Sequence, residues 1–367
     1  MMSMMRKAQT QMQYKPGGLP PPEKQFMMAL KARKAKQLAK VDLKDLDKHD
    51  VVMKVSLLLL NDSRGEPRIW RRFRVSAGIK LNVFQDKIIA PIMGWTRNLH
   101  CYHITDCRDG SMFGPESSSA VDETYRDTMG YDWLPDHKYQ LAHIFDKEGD
   151  SISYTYDFGD KWFHRVTVEK ILPLEESDGH VEVLEGRGMC PGENMQGCFA
   201  YREFLKNYDQ AGLVERVPLK RQILACPNYT SLRKPPSLFD PDSFDMAFTK
   251  QNLTDALNST NSLAKGAKKF TQPISSNAGT YSQPTNGQRV ITHSQDSANA
   301  SGGFWEEMQN EKDRRSAGVC AACGKPGGAE LKRCAGCKQV LYCSPEHQKE
   351  HWKRVHKQTC SKEFTKK

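Results

Sequence analysis

The chain has 367 residues, and its 54 lysines and arginines exceed its 44 aspartates and glutamates to give a formal net charge of +10. This length is sufficient for two or three domains with at least one hydrophobic core. The most apolar run, residues 55–60, is too short for the roughly 18–20 residues that cross a membrane. Residues 1–13 lack the apolar segment of a secretory signal. We therefore expect an intracellular protein, cytoplasmic, nuclear or both, without membrane association.

The positive charge lies at the two ends of the chain. Residues 1–50 and residues 304–367 each have a net charge of +6, whereas residues 51–250 carry 25 basic and 29 acidic side chains, a net charge of −4. The acidic middle of the chain argues against nucleic-acid binding as its main property. The basic termini leave weak nucleic-acid contact open.

The chain changes from a basic arm to a folded domain after residue 50. Residues 1–22 are rich in methionine, glutamine, proline and glycine, which is typical of disorder, and residues 23–48 have the composition of a basic helix. Residues 51–60 are a largely apolar run that predicts a strand, and residues 69–75, which follow turn-forming residues, are expected to be its partner in a β-hairpin. Residues 81–95 carry apolar side chains at helical spacing, which predicts a helix packed on that hairpin.

The same domain continues with strands and then helices. A short strand is expected at residues 99–104, and the polar, turn-rich residues 106–132 predict an exposed loop. Residues 151–158 and 162–172 alternate apolar and polar side chains and predict a second hairpin. The remaining expected elements are a strand at 181–184 and helices at 201–208 and 217–226. Because hairpins and helices follow one another without a regular βα repeat, the predicted fold class is α+β, a mixed sheet with packed helices.

Residues 251–303 have the composition of a linker. They are rich in serine, threonine, asparagine, glutamine, alanine and glycine, so they cannot bury enough apolar surface to offset the entropy of ordering. We expect a disordered linker that makes residues 304–367 mechanically independent of the core. The predicted domains are thus 1–50 (basic, largely disordered arm with a helix), 51–250 (α+β core), 251–303 (linker) and 304–367 (C-terminal module).

The C-terminal module contains eight cysteines and histidines at the spacings of zinc ligands. Two Cys-x2-Cys pairs are followed by Cys-x3-His and His-x3-Cys. Eight ligands divide into two tetrahedral sites, and closed four-ligand sites hold zinc for structure rather than catalysis. Sequential and interleaved pairing both satisfy the spacings. The eight residues are Cys320, Cys323, Cys334, Cys337, Cys343, His347, His356 and Cys360.

A helix is expected to carry the two histidines toward the metals. Ser344 and Pro345 have the order of an N-cap followed by proline in the first helical position. His351 lies one helical turn beyond His347, and we expect its side chain to be exposed to solvent. The module has few large apolar residues, so zinc would supply its stability, roughly 10–16 kcal/mol per site.

The complete pattern resembles a MYND-type zinc finger over residues 320–360. Tyr342-Cys343-Ser344, Gln348 and Trp352 join the ligands in this resemblance. It implies interleaved sites, with Cys320, Cys323, Cys343 and His347 on one zinc ion and Cys334, Cys337, His356 and Cys360 on the other. The sequence departs from the family at His347, where a cysteine is usual. The resemblance also implies that the finger binds proteins with short proline-containing motifs through Gln348 and Trp352, although Trp352 could equally belong to the core of the module.

The tract Tyr154-Thr155-Tyr156-Asp157-Phe158-Gly159-Asp160-Lys161-Trp162-Phe163-His164, with six shorter motifs of residues 51–250, resembles the plasmid pRiA open-reading-frame-three-like family, also labelled TnpR-like. The resemblance implies a compact α+β domain, and the activity of the family is not established. The shorter motifs are Pro67-Arg68-Ile69-Trp70-Arg71-Arg72-Phe73, Met93-Gly94-Trp95, Leu99-His100, Cys190-Pro191 with Gly197, Tyr201-Arg202-Glu203-Phe204-Leu205 and Phe239-Asp240-Pro241-Asp242-Ser243-Phe244-Asp245.

One cluster in this domain could support chemistry. Asp157, Asp160 and His164 lie around one predicted hairpin turn, where they could bind a metal ion or transfer protons. The two aspartates could instead cap the backbone of the turn. The residues that could join them in space are His100, Cys190 and Glu193.

These observations predict a non-enzymatic, zinc-binding intracellular adaptor. Its MYND-type finger would mediate protein–protein interaction, and its core domain would have no assigned activity. The alternative is an enzyme or nucleic-acid-processing factor with a site near Asp157, Asp160 and His164, in which the finger serves for targeting. Two structural Zn²⁺ ions per chain are expected in either case.

Overall fold

The structure, a computed structural model, describes residues 22–116, 132–229, 232, 234–259, 268–271, 304–307, 318–327 and 330–360, with the backbone alone at 268–271 and 304–307. The chain forms two compact units, Met1–Val41 and Asp42–Lys367. Within the first unit, helix α1 spans Pro22–Leu38, which overlaps the basic helix predicted at residues 23–48 but ends ten residues earlier. Residues 1–21, predicted to be disordered, lie outside the described residues.

The second unit is built on a mixed eight-stranded sheet. The strands lie in the order β5-β4-β3-β6-β7-β1-β2-β8, and all neighbours are antiparallel except β4 and β5. This arrangement confirms the α+β class. The strands are β1 (Asp50–Leu57), β2 (Trp70–Ser76), β3 (Tyr102–Asp106), β4 (Met112–Gly114), β5 (Leu134–Pro135), β6 (Ser151–Tyr156), β7 (Trp162–Ile171) and β8 (Glu182–Arg187).

The two predicted hairpins form the centre of the sheet. Strand β1 pairs with β2, and β6 pairs with β7 so that Tyr154 faces His164 and Tyr156 faces Trp162. The alternation in residues 151–158 places one set of side chains in the core because successive side chains of a strand point to opposite faces. Accordingly, Tyr154, Tyr156 and Phe158 are all buried.

Helices cover the sheet. Helix α2, whose consecutive parts are Leu81–Val83, Phe84–Ile89 and Ala90–Met93, is π-helical in its middle part and contacts β2 and α5. The others are α3 (Gly197–Gln210), α4 (Arg216–Leu224) and α5 (Met246–Asn258). No helix among the residues that the structure describes is long and apolar enough to cross a membrane.

The core domain extends beyond the predicted boundary at residue 250. Helix α5 continues to Asn258, with Leu253, Ala256 and Leu257 buried. The buried Lys87 of α2 donates hydrogen bonds from Nζ to the carbonyl oxygens of Ala256 and Ser259, at 2.6 and 2.5 Å. The last carbonyl groups of a helix have no partner within the helix, so these two hydrogen bonds satisfy them and fix α5 to the domain. The local sequence does not predict this tertiary contact, because Lys87 lies far from residues 256–259 in the chain.

Two predicted irregular regions also contain strands. Strand β4 lies within 106–132 and pairs with β3, while residues 117–131 of that predicted loop lie outside the described residues. Within and beyond the predicted linker, β9 (Lys268–Thr271) pairs with β10 (Phe304–Glu307). The rest of the linker from residue 260 lies outside the described residues.

The C-terminal finger has a short hairpin and one helix. Strands β11 (Lys332–Arg333) and β12 (Leu341–Tyr342) pair, and helix α6 begins at Pro345. Its consecutive parts are Pro345–His351, Trp352–His356 and Lys357–Thr359. The buried cluster of the finger consists mainly of the cysteines themselves, joined by Ala321, Val340 and Tyr342. Such a small apolar cluster cannot stabilise the module by packing alone.

Candidate metal centres and the buried histidine–carboxylate cluster

Four of the predicted ligands meet at one end of the finger. The ligand atoms of Cys320, Cys323, Cys343 and His347 all lie within 4.8 Å of one another. The Sγ atoms of Cys323 and Cys343 are 3.7 Å apart. Nδ1 of His347 lies 2.9 Å from Sγ of Cys343 and 3.9 Å from Sγ of Cys320. We call this group the first site.

The other four predicted ligands form a second site. The ligand atoms of Cys334, Cys337, His356 and Cys360 also lie within 4.8 Å of one another. The Sγ atoms of Cys334 and Cys360 are 3.9 Å apart. Here the histidine presents Nε2, at 3.3 and 3.4 Å from the sulfurs of Cys334 and Cys337. The structure thus groups the eight residues in the interleaved manner that the resemblance implies.

Both sites fit zinc in donor type and in size. Each offers three thiolates and one imidazole, which are donors that zinc prefers. Tetrahedral bonds of about 2.3 Å to sulfur and roughly 2.0–2.1 Å to nitrogen place two sulfurs about 3.8 Å apart and a sulfur and nitrogen about 3.6 Å apart. The sulfur–sulfur separations of 3.7 and 3.9 Å agree with this geometry, and the sulfur–nitrogen separations, from 2.9 to 3.9 Å, lie on both sides of the expected value. The finger therefore holds two structural zinc ions, with four protein ligands each.

Tight turns and a helix start hold the ligands of the first site. The Cys320 N–H donates to the carbonyl oxygen of Lys325 at 2.8 Å, which closes the loop around the first Cys-x2-Cys pair. Gly324 completes this loop at a φ of +77°, a conformation that glycine adopts without steric cost. The Ser344 Oγ accepts a hydrogen bond from the His347 N–H at 3.2 Å, so the predicted N-cap directs His347 toward the site.

The prediction that His351 is exposed to solvent is wrong. Its side chain is buried, Nδ1 lies 2.8 Å from the Tyr342 hydroxyl, and its ring stacks on the ring of His356 at 5.3 Å. A spacing pattern cannot reveal this role, because it depends on Tyr342 reaching across from β12. His351 thus supports the ligand His356 by packing and belongs to neither site.

Gln348 and Trp352 lie one helical turn apart on α6. The Trp352 side chain is 39% exposed, although it is the largest apolar side chain of the finger. Its ring contacts the edge of the His356 ring at 5.8 Å, and Gln348 is half-buried. The tryptophan is therefore anchored on a ligand while much of its surface faces solvent.

The three residues of the predicted turn cluster have structural partners. Asp157 Oδ1 accepts the N–H groups of Gly159 and Asp160 at 2.8 and 3.0 Å, which caps the turn as predicted. Asp160 Oδ2 accepts the N–H of Gln196 at 2.8 Å. Asp157 therefore holds the backbone of the turn itself, and Asp160 holds the backbone at the start of α3.

His164 is buried and neutral. Its Nδ1–H donates to the carbonyl oxygen of Tyr154 at 3.1 Å, and its Nε2 accepts the indole N–H of Trp95 at 3.0 Å. Burial lowers the pKa of His164 to about 4. Both ring nitrogens are occupied, so the structure does not bring His164 together with the aspartates as a metal-binding group.

A different histidine joins the turn. His100 Nε2 lies 3.3 Å from Asp157 Oδ2 and 3.8 Å from Glu193 Oε2. The fully buried Glu193 accepts hydrogen bonds through Oε1 from the Thr96 N–H at 2.8 Å and the Tyr156 hydroxyl at 3.0 Å. Burial raises the pKa of Glu193 to about 7. Cys190, also considered for this cluster, lies buried against Gly94.

The finger contacts the core domain, contrary to the predicted mechanical independence. The Val181 N–H, directly before β8, donates to the carbonyl oxygen of the ligand Cys323 at 2.8 Å. The His180 ring meets the ring of the ligand His347 at a centroid distance of 5.2 Å, nearly perpendicular to it. The amino-acid composition of residues 251–303 predicts a solvated linker. It contains no information about whether the finger contacts the core domain.

Comparison with known proteins matches both parts of the chain. The family model of the plasmid pRiA4b ORF-3-like protein matches residues 51–247, and that of the MYND finger matches residues 320–360. An uncharacterized protein, y4hQ, of Sinorhizobium fredii (strain NBRC 101917 / NGR234) is 31% identical over 141 residues, which are 38% of this chain and 65% of y4hQ.

Two further proteins are similar to parts of the chain. Human Egl nine homolog 1 is 41% identical over 63 residues, 17% of this chain and 13% of that protein. The chain thus spans less than two thirds of either curated relative. A crystal structure of a protein of unknown function from Methanosarcina mazei Go1 is 23% identical, with a TM-score of 0.38 over 55% of this chain and 96% of that one.

Proposed function

Because the chain belongs to the plasmid pRiA4b ORF-3-like family and carries a MYND finger with two zinc sites, we propose that it is a non-enzymatic adaptor. The finger is its protein-interaction module, and we propose that it takes partners with short proline-containing motifs. The single observation that supports this specificity is the exposed face of Trp352, one turn from Gln348. Aromatic side chains presented in this way are the usual platform for proline-rich segments.

The chemistry of the finger also supports a reducing compartment. None of the eleven cysteines forms a disulfide bond, and six of them serve as zinc ligands. Zinc requires thiolates, which persist where cysteines are kept reduced. We therefore propose a cytoplasmic or nuclear location. The basic ends of the chain would add weak, salt-sensitive nucleic-acid contact at most.

Replacing Trp352 by alanine should weaken peptide binding about tenfold or more, since a buried aromatic contact is worth at least 1.4 kcal/mol. The probe is a set of proline-containing peptides, each paired with the same peptide carrying alanine for proline, titrated against the full chain. Zinc content should stay at two per chain in the variant. The matched control is Phe199→Ala, which removes an exposed aromatic side chain from the core domain. Equal peptide affinity of Trp352→Ala and Phe199→Ala would reject the proposed specificity.

The alternative, an enzyme or nucleic-acid-processing factor with the finger used for targeting, is favoured by one observation. His100 lies between the carboxylates of Asp157 and Glu193, and Glu193 has a raised pKa. Strongly shifted carboxyl groups beside a histidine are frequent at catalytic sites, although structural networks shift them too. The original candidates Asp160 and His164 contribute to this alternative only by holding the surrounding backbone.

The alternative predicts a ligand whose binding depends on His100. Divalent cations, nucleotides and single-stranded RNA would be screened for a rise in the melting temperature of the full chain. The alternative requires at least one ligand that stabilises the wild type and not His100→Gln. If no ligand distinguishes the two proteins, the adaptor proposal stands without this competitor.

A further inference from the structure

The core domain presents a fixed loop to the first zinc site. Residues 177–181 form the last part of the connection from β7 to β8, and side chains of β1 and β2 bond to them. Asp50 Oδ2 accepts the Gly179 N–H at 2.9 Å, and Arg74 bonds Asp178 at 2.6 Å. Asp178 in turn lies 3.0 Å from Nδ1 of His180. These bonds to the core therefore order the loop independently of the finger.

The loop fits closely around the first Cys-x2-Cys turn. A Cβ atom on Gly324 would lie 2.6 Å from Cγ2 of Val181, so only glycine permits this approach. A Cβ atom on Gly179 would likewise lie 2.6 Å from the Lys325 side chain. Two glycines, one on each side of the contact, thus allow the Val181 and Lys325 side chains to pack against the opposing backbone.

Two further contacts between the loop and the finger involve residues that bind zinc. The Val181 N–H bonds the carbonyl oxygen of Cys323. His347 directs Nδ1 toward the sulfurs of the first site, and its ring meets the His180 ring nearly at right angles, at a centroid distance of 5.2 Å. Groups that contact metal ligands from outside fix their orientation and raise metal affinity.

We propose that residues 177–181 of the core domain form the outer shell of the first zinc site, with His180 and Val181 as its positioning residues. The core would then raise zinc affinity at that site, and the zinc-loaded finger would dock on the core. Because the core and the finger belong to one chain, their effective concentration is high, and even a weak interface between them is occupied. The second site has no such contact among the residues that the structure describes.

This docking leaves the proposed peptide surface open. Successive residues of a helix are about 100° apart around its axis, so Gln348 and Trp352 follow a stripe beside the one that carries His347. Trp352 is 39% exposed with the finger docked. The core would therefore hold the finger in one orientation without competing for its partner.

The test is the release of zinc from the full chain during titration with a chelator. The number of zinc ions that remain bound per chain is measured at each chelator concentration. We expect the wild type to hold two zinc ions, and His180→Ala and Val181→Pro to lose one of the two at about tenfold lower chelator activity. Val181→Pro removes the N–H donor and leaves the finger sequence unchanged. The matched control is His137→Ala, since His137 has a side chain 40% exposed against 42% for His180 and pairs with Glu116.

Hydrogen exchange supplies an independent readout. The acceptor of the Val181 N–H lies on the finger, so this amide should exchange slowly with zinc bound and rapidly after chelation, while amides of β1 stay protected. Zinc release curves of His180→Ala and Val181→Pro that coincide with that of His137→Ala would overturn the proposal. So would a Val181 amide that exchanges equally fast with and without zinc.

Discussion

Replacing Cys334 by alanine is expected to unfold the finger and leave the core domain folded. The buried cluster of the finger is made mainly of ligand cysteines, so zinc binding supplies most of the folding free energy of the finger. Small zinc domains gain about 10–16 kcal/mol from each structural ion, as much as the entire stability of a typical domain. Loss of one ligand leaves the second site with three, and the interleaved chain order should weaken the first site as well.

The measurement is zinc content combined with hydrogen exchange over residues 320–360 of the full chain. The variant should lose the zinc of the second site and lose amide protection throughout this range, while the sheet of the core keeps its protection. Cys107→Ala is the matched control, because Cys107 is exposed and lies outside both sites. A Cys334→Ala protein that retains two zinc ions and a protected finger would show that Cys334 is not a ligand.

Replacing Glu193 by glutamine is expected to stabilise the core domain at alkaline pH and to have little effect at pH 5. Burial raises the pKa of Glu193 from 4.5 to about 7, so the folded protein binds this proton more tightly than the unfolded chain. Stability conferred by the neutral carboxyl group is complete below about pH 4.5 and is lost as the pH rises to about 7. The loss is about 3 kcal/mol above that pH, by the usual conversion of pKa shift to free energy.

Glutamine removes this pH dependence because it does not titrate, and its amide oxygen can accept the bonds from Thr96 and Tyr156. The measurement is urea unfolding of wild type and variant at pH 5 and pH 8. From pH 5 to pH 8, the free energy of unfolding of the variant should rise by up to about 3 kcal/mol relative to that of the wild type. Glu175→Gln, at an exposed position, is the matched control. An equal stability difference at both pH values would mean that Glu193 is already ionised at pH 5.

The features that the sequence predicts well depend on local patterns. The zinc ligands follow from short spacings, and the pairing follows from the family resemblance. The β6–β7 hairpin follows from strict alternation in residues 151–158, because burial of one face imposes a period of two. The cap formed by Asp157 follows from the preference of aspartate for turns.

The features that the sequence does not predict depend on contacts between distant segments. Helix α5 is held by Lys87, which lies far away in the chain. His351 is buried because Tyr342 reaches it from another strand. The joining of His100 to Asp157 and Glu193, and the docking of His180 and Val181 on the finger, likewise require three-dimensional proximity. Residue spacing contains no information about any of these.

The central claim, a protein-interaction finger built on two zinc ions, is tested most directly by native mass spectrometry of the full chain. We predict a mass that exceeds the metal-free polypeptide by two zinc ions, less the six protons released by the six ligand cysteines. Six disulfide-free ligand cysteines and two ligand histidines leave no other occupancy that satisfies both sites. A protein that binds one zinc ion, or none, under reducing conditions would contradict the claim.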